Sequence, residues 1–258
     1  MGNASPRTLR ELVDYLDPYL DIGAFPDASV NGLQVEGSGS VTRIGLAVDA
    51  CLEAMLMASQ RRCDLLIVHH GLFWGTETRL CGHAYRRVRA LIRADIALYA
   101  AHLPLDAHPE VGNNIQIARR ISLPETRPFG LFGGKPVGVQ GCLENPVPFE
   151  KAVAICTEKV GPTRAVLRFG PENIRRLGIV TGSATDPSLF EEASRQEVDL
   201  LITGEAKQAA YSLAQEYGLN IFYGGHYQTE TYGLKALGDH LSARFELPVE
   251  FIETGCAF

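Results

Sequence analysis

Apolar residues recur along the chain with two periods. Spacings of three and four mark helices. Leu9, Leu12, Val13 and Leu16 share one face, as do Phe149, Val153, Cys156 and Val160. Tyr85, Val88, Leu91 and Ile92 repeat the pattern, and so do Ala210, Leu213, Ala214 and Tyr217. Further helices are predicted near Leu52–Arg61 and Pro187–Gln196, the second opened by Asp186 and Pro187 as N-cap and first turn. Between the helices lie apolar runs too short to be helices, such as Leu65-Leu66-Ile67-Val68, Leu200-Leu201-Ile202 and Ile221-Phe222-Tyr223. These read as buried strands. Strands alternating with helices predict an α/β fold with parallel or mixed sheets.

The pattern occurs twice. Residues 33–48 align with 166–181 without a gap, so that Gly37 meets Gly170, Arg43 meets Arg176 and Gly45 meets Gly178. Asp64-Leu65-Leu66-Ile67 then matches Asp199-Leu200-Leu201-Ile202. Tyr99, His102 and Asp106 match Tyr223, His226 and Glu230, and Leu123-Pro124 matches Leu247-Pro248. Self-similarity in a fixed order marks a duplicated structural unit. Two pseudo-repeated α/β lobes are therefore expected, residues 1–130 and 131–258. Each should hold a first helix, a hairpin-like pair of strands, the Asp-Leu-Leu-Ile strand, a strand leading to a histidine turn, and a last helix with an edge strand. Residues 130–148 are rich in glycine and proline and read as a joint made of turns. They fit no phosphate-binding loop.

Candidate chemistry sits at the strand ends. The run from Asp64 ends in His69-His70-Gly71; later strands lead to His102 with Asp106, and to His226 with Glu230. Ligands of α/β proteins gather at the carboxyl ends of parallel strands. Adjacent strand residues point to opposite faces, so His69 and His70 share a target only if the strand frays, with Gly71 releasing the backbone. A helix starting near His226 puts His226 and Glu230 on one face, whereas Pro104 makes the first copy a turn. One core and one surface histidine is the plainer reading of the His-His pair. With the repeat in view, strand ends converging on one cleft would offer His69, His70, Asp106, His226 and Glu230. Five donors exceed one four-coordinate site and suit two divalent metals, zinc, manganese or iron. Lobes facing apart, with each histidine capping a strand, is the alternative.

Composition narrows the setting. Of 258 residues, 46% are hydrophobic and 21% charged, enough for a sizeable core. A net charge of −6 with no basic run argues against nucleic acid as main partner. No apolar run approaches a membrane span, and Met1–Arg7 has no signal-peptide core. The six cysteines form no C-x-x-C pair and read as reduced thiols of a cytoplasmic protein. Cys63, close to the His-His strand, reads as a small core residue rather than a ligand.

The runs Val30–Gly37, Asp64–Gly71, Tyr99–Asp106 with Asn113-Asn114, Leu201–Glu205 and Gly224–Glu230 resemble the dinuclear-metal-centre hexameric family in its short form. Its members are labelled GTP cyclohydrolase 1 type 2 homologues or NGG-interacting-factor-like proteins. The resemblance spans nearly the whole chain. It implies two interlinked α/β lobes with a two-metal cleft between them, a toroidal homohexamer, and His69, His70, Asp106, His226 and Glu230 as ligands. It implies a small-molecule substrate, GTP or another nucleotide, opened at C8 of the guanine with loss of formate. His102 and Glu205 are the candidates for proton delivery, His102 equally a partner orienting Asp106; Arg79, Arg86 and Lys207 lie near the motif strands and could meet phosphates, but nothing in their spacing marks them and each reads first as solvated surface. A metal-binding or scaffold hexamer without turnover, and a two-metal hydrolase of another phosphorylated substrate, are the rival readings.

Overall fold

The computed structural model describes residues 5–75 and 79–256. The chain divides into two compact units, Met1–Leu105 with Leu234–Gly255, and Asp106–Gly233 with Cys256–Phe258. These limits differ from residues 1–130 and 131–258. Each sequence repeat gives its last helix and strand to the unit built mainly by the other.

The first unit carries β1 (Arg7–Thr8), α1 (Leu9–Tyr19), β2 (Gly32–Val35), β3 (Ser40–Val41), β4 (Ile44–Asp49), α2 (Leu52–Gln60), β5 (Leu65–His70), α3 (Gly82–Ala94) and β6 (Ala97–Ala100). Through α4 (Leu103–Ala107) the chain enters the second unit. That unit holds α5 (Asn113–Arg120), β7 (Arg127–Phe132), β8 (Lys135–Pro148), α6 (Phe149–Val160), β9 (Ala165–Leu167), β10 (Asn173–Ile179), α7 (Pro187–Arg195), β11 (Leu200–Thr203), α8 (Gln208–Glu216), β12 (Asn220–Tyr223) and α9 (His226–Thr229). Within α10 (Thr231–Phe245) it returns to the first unit, ending in β13 (Val249–Phe251).

The duplication is present strand by strand. The first unit's sheet runs β13-β4-β5-β6-β2, the second's β7-β8-β10-β11-β12-β9. In each, a run of three parallel strands carries an antiparallel strand on one side, β2 on β6 and β9 on β12; the other side takes the parallel β13 in the first sheet and the antiparallel β8 in the second. The repeated aspartate explains part of the likeness. Asp64 Oδ2 accepts from the Thr42 amide and hydroxyl at 2.7 and 2.6 Å and from the Arg43 amide at 3.2 Å. Asp199 Oδ2 accepts from the Arg175 and Arg176 amides at 2.8 and 2.7 Å. Each aspartate thus ties the start of its own strand to the first part of the strand beside it, Asp64 to the residues just before β4 and Asp199 to Arg175 and Arg176 within β10. The repeated glycine makes room: a Cβ at Gly45 would stand 3.0 Å from Ile252, and one at Gly178 would stand 2.7 Å from the Phe129 ring.

Both cores are apolar side chains trapped between sheet and helices. Met55, Leu66, Val68, Leu91 and Leu98 belong to the first, and Ile117, Phe149, Ile174, Ile202 and Phe222 to the second. Burying one such side chain is worth about 1.5–3 kcal/mol. Among the described residues no helix is long and apolar enough to cross a membrane.

Three local expectations need correction. The expected hairpin-like pairs are not hairpins: β2 pairs with β6 and β9 with β12, while β4 and β10 lie inside the sheets. Residues 130–148 are not a string of turns but most of a true hairpin, β7 with β8, closing at Gly133 and Gly134. Both glycines have positive φ, +55° and +82°, as a tight hairpin turn requires. Pro104 begins no open turn; it sits in the first turn of α4, where the missing N–H leaves no bond unmade.

Candidate metal centre

In the first unit β5 delivers His69 and His70, and the turn after β6 delivers His102. His69 is fully buried. The three rings pack together, with centroids 4.8 Å apart for His69 and His70, 5.0 Å for His69 and His102, and 5.6 Å for His70 and His102. One nitrogen from each ring lies within 4.8 Å of the others. Gly71 has a role other than the expected one. It is not among the residues with positive φ. A Cβ there would stand 2.3 Å from Gln34 and 2.7 Å from Ala100, so the glycine is required for space.

Each ring is held by its Nδ1. His69 Nδ1 lies 2.9 Å from the Ala101 carbonyl, His70 Nδ1 2.8 Å from Asp49 Oδ1, and His102 Nδ1 2.9 Å from Asp27 Oδ1. Those acceptors place the proton on Nδ1 and leave Nε2 as the donor, the arrangement found at metal-ligating histidines. Asp27 and Asn31 clamp the His102 turn further. Asp27 accepts from the Leu103 amide at 3.1 Å and from Asn31 Nδ2 at 2.9 Å, and Asn31 Oδ1 accepts from the His102 amide at 2.8 Å. Burial alone would raise the Asp27 pKa. The hydrogen bond and charge of His102, with Asn31 and the Ser29 amide, outweigh it and hold the carboxyl at about 2.

The second unit builds its own group. His226 opens α9, its Nδ1 is 2.9 Å from Glu205 Oε2, and its Nε2 is 3.2 Å from Glu230 Oε1. Glu230 is buried. Asp106, also buried, accepts on Oδ1 from Asn113 Nδ2 and from the Thr181 hydroxyl, both at 2.9 Å. The residue after Thr181, Gly182, has φ +67°, and a Cβ on it would stand 2.3 Å from Glu230 Oε1. Its carbonyl accepts from the Gly204 and Glu205 amides at 3.0 and 2.8 Å, which fixes the end of β11 against it. Lys207 pairs with Ser183 Oγ at 2.8 Å and Glu205 Oε2 at 3.7 Å.

Of the sequence candidates, the structure brings His69, His70 and His102 together in the first unit, and His226, Glu230 and Glu205 in the second, with Asp106 joined through Thr181. Cys63 is buried among core residues, and burial, with the charge of Glu250, raises its thiol pKa to about 12, as befits a packing residue. Arg79 and Arg86 are exposed. Sequence reasoning missed Asp27 and Asp49, and it gave no orienting role to Asn113, which lies in the motif runs, or to Thr181, which ends the aligned repeat. A signal existed for Asp49 as well: it ends the strand beside β5, and it aligns with Gly182 in the repeat.

The donor set, imidazole with carboxylate, fits a divalent ion such as zinc, manganese or iron. The Duf34/NIF3 (NGG1p interacting factor 3) family model matches residues 7–255. The chain belongs to that family. A Deinococcus radiodurans protein named GTP cyclohydrolase 1 type 2 homolog is 42% identical over 242 residues, 94% of this chain and 91% of that one. A protein of the same name from Pyrococcus abyssi is 42% identical over 246 residues, 95% and 97% of the two chains. A solved protein of Thermus thermophilus superposes with a TM-score of 0.89 at 39% identity, covering 98% of this chain and 100% of its own.

Proposed function

We propose that the chain is a metal-dependent hydrolase in which His69, His70, Asp106, His226 and Glu230 hold two divalent ions, zinc, manganese or iron. Its reaction is the hydrolytic opening of the guanine imidazole ring of GTP with release of formate. One observation carries the metal reading: the rings of His69, His70, His102 and His226 are each fixed through Nδ1 by a carbonyl or carboxylate, the kind of outer partner that orients metal-ligating imidazoles. The names of the relatives support a GTP-type small ligand.

Bound divalent ions would acidify a water, so that hydroxide is available near neutral pH. The chain's own residues do the rest. Asn113 and Thr181 hold the Asp106 carboxylate in one orientation. Glu205 sets the His226 ring. One water adds at C8 and the C8–N9 bond breaks; a second water then cleaves the N7–C8 formamide to release formate, and N9 and N7 each take up a proton as their bond to C8 breaks. His102 is the residue to supply them: the ionised Asp27 fixes its Nδ1–H and leaves Nε2 to give or take a proton. Glu205, already engaged with His226, acts through that ring. Six free cysteines suit a reducing, cytoplasmic setting. The assembly is a homohexamer, so light scattering should give six times 28.1 kDa, and a monomer mass would refute this part.

The test is formate release from GTP by protein reloaded separately with Zn²⁺, Mn²⁺ and Fe²⁺, beside His70→Ala and Asp106→Ala. Metal-dependent formate lost in both variants supports the reading. No formate with any metal, from folded and metal-loaded protein, refutes the cyclohydrolase reaction and leaves metal binding to be explained by another substrate or by none.

A further inference from the structure

Trp74, the chain's single tryptophan, follows the His-His strand. Its ring centroid is 5.0 Å from that of His102, edge-on at 71°, and 6.0 Å from that of His70. Two constraints fix the residue. The indole Nε1 donates to the Gly71 carbonyl at 2.9 Å, and the backbone forms an antiparallel bridge with Ser29. The Ser29 amide donates to Asp27 Oδ1, so the loop that orients His102 also holds Trp74. Yet Trp74 remains 39% exposed. An indole is the largest apolar surface a side chain can bury. Here it is locked beside a donor cluster and left partly open to solvent.

We propose that Trp74 is the platform on which the planar heterocycle of the substrate stacks beside His70 and His102, and that the substrate class is therefore an aromatic base. Stacking on an aromatic side chain is tolerant of base identity, because every base has a π-face. The sugar and phosphates would then be held elsewhere, and the platform would set affinity through the ring alone. The inference rests on the hydrolase reading for the reaction at that ring, and its test reads binding.

The experiment titrates the full metal-loaded chain with GTP, guanosine and tripolyphosphate while following Trp74 emission excited at 295 nm. GTP and guanosine should change the emission saturably, and tripolyphosphate should not. By calorimetry, Trp74→Ala should bind GTP about 5- to 150-fold more weakly. Its metal content and its affinity for tripolyphosphate should stay at wild-type values. Trp74→Phe should recover most of the GTP affinity. GTP that binds without changing the emission, GTP that does not bind at all, or Trp74→Ala that binds GTP as wild type does, would each overturn the proposal. Stacking without formate release removes the cyclohydrolase and keeps the platform. Formate release with unchanged KM in Trp74→Ala does the reverse.

Discussion

Replacing Gly182 by alanine separates two costs that the structure keeps apart. The residue has φ +67°. A Cβ in the left-handed region costs about 1–2 kcal/mol. The same Cβ would stand 2.3 Å from Glu230 Oε1 and 3.3 Å from both Glu230 Cδ and His226 Nε2. The closest atom is the far end of a flexible side chain, so Glu230 can rotate away and the overlap itself adds little to the stability loss. The position of the buried carboxylate is what changes. Gly134→Ala is the control: its φ is +82° and nothing lies within 4 Å of its Cβ, so it carries the strain alone. Both variants should lose about 1–2 kcal/mol, roughly 2–8 °C in Tm for a chain of this size. Only Gly182→Ala should bind metal more weakly, by at least about tenfold, as expected when a ligand-orienting contact fails. Thermal melts with metal analysis after dialysis read both quantities. Gly182→Ala with wild-type metal affinity, or equal metal loss in Gly134→Ala, would refute the reasoning.

Asp49→Ala frees Nδ1 of His70 and should lower metal affinity about 10–100-fold with little change in far-UV dichroism; isothermal titration with zinc checks this. Asp64→Ala and Asp199→Ala should destabilise alike, each by about 1.5–3 kcal/mol in urea unfolding, because each removes charge-assisted bonds to two backbone amides of the neighbouring strand or its entry. Burial raises the thiol pKa of Cys63, aided by Glu250, and that of Cys156 to about 12. Both groups stay protonated in the folded state far above the usual thiol range, so raising the pH from 7 to 9 should not bring on their alkylation. Exposed Cys81 and Cys256 should label readily, and mass mapping with iodoacetamide distinguishes the two classes.

The elements legible from sequence were those that apolar spacing and local chemistry specify. The Asp-Leu-Leu-Ile run became β5 and β11, Asp186 caps α7 by accepting from the Ser188 amide, and His226 opens α9 as its spacing indicated. The hairpin β7–β8 was not legible because Gly133, Gly134 and the prolines dominate a stretch whose period-two alternation, Val137 and Val139 against Gly138 and Gln140, is faint. The exchange of last helix and strand between the units is a non-local event that no local pattern encodes. The candidate site divides in the same way. His69, His70, His102 and His226 stand at strand ends and announce themselves. Their partners Asp27 and Asp49 lie 75 and 21 residues away in sequence from the rings they hold, in a loop and on a neighbouring strand. Only the tertiary fold brings them into register.

The most direct measurement is anomalous diffraction from crystals of the chain grown with zinc. Two peaks per chain are predicted, bonded at about 2.0–2.1 Å to Nε2 of His69, His70 and His226, with Asp106 and Glu230 completing the set. Peaks at Nδ1, a single peak away from these residues, or none at saturating zinc would contradict the account.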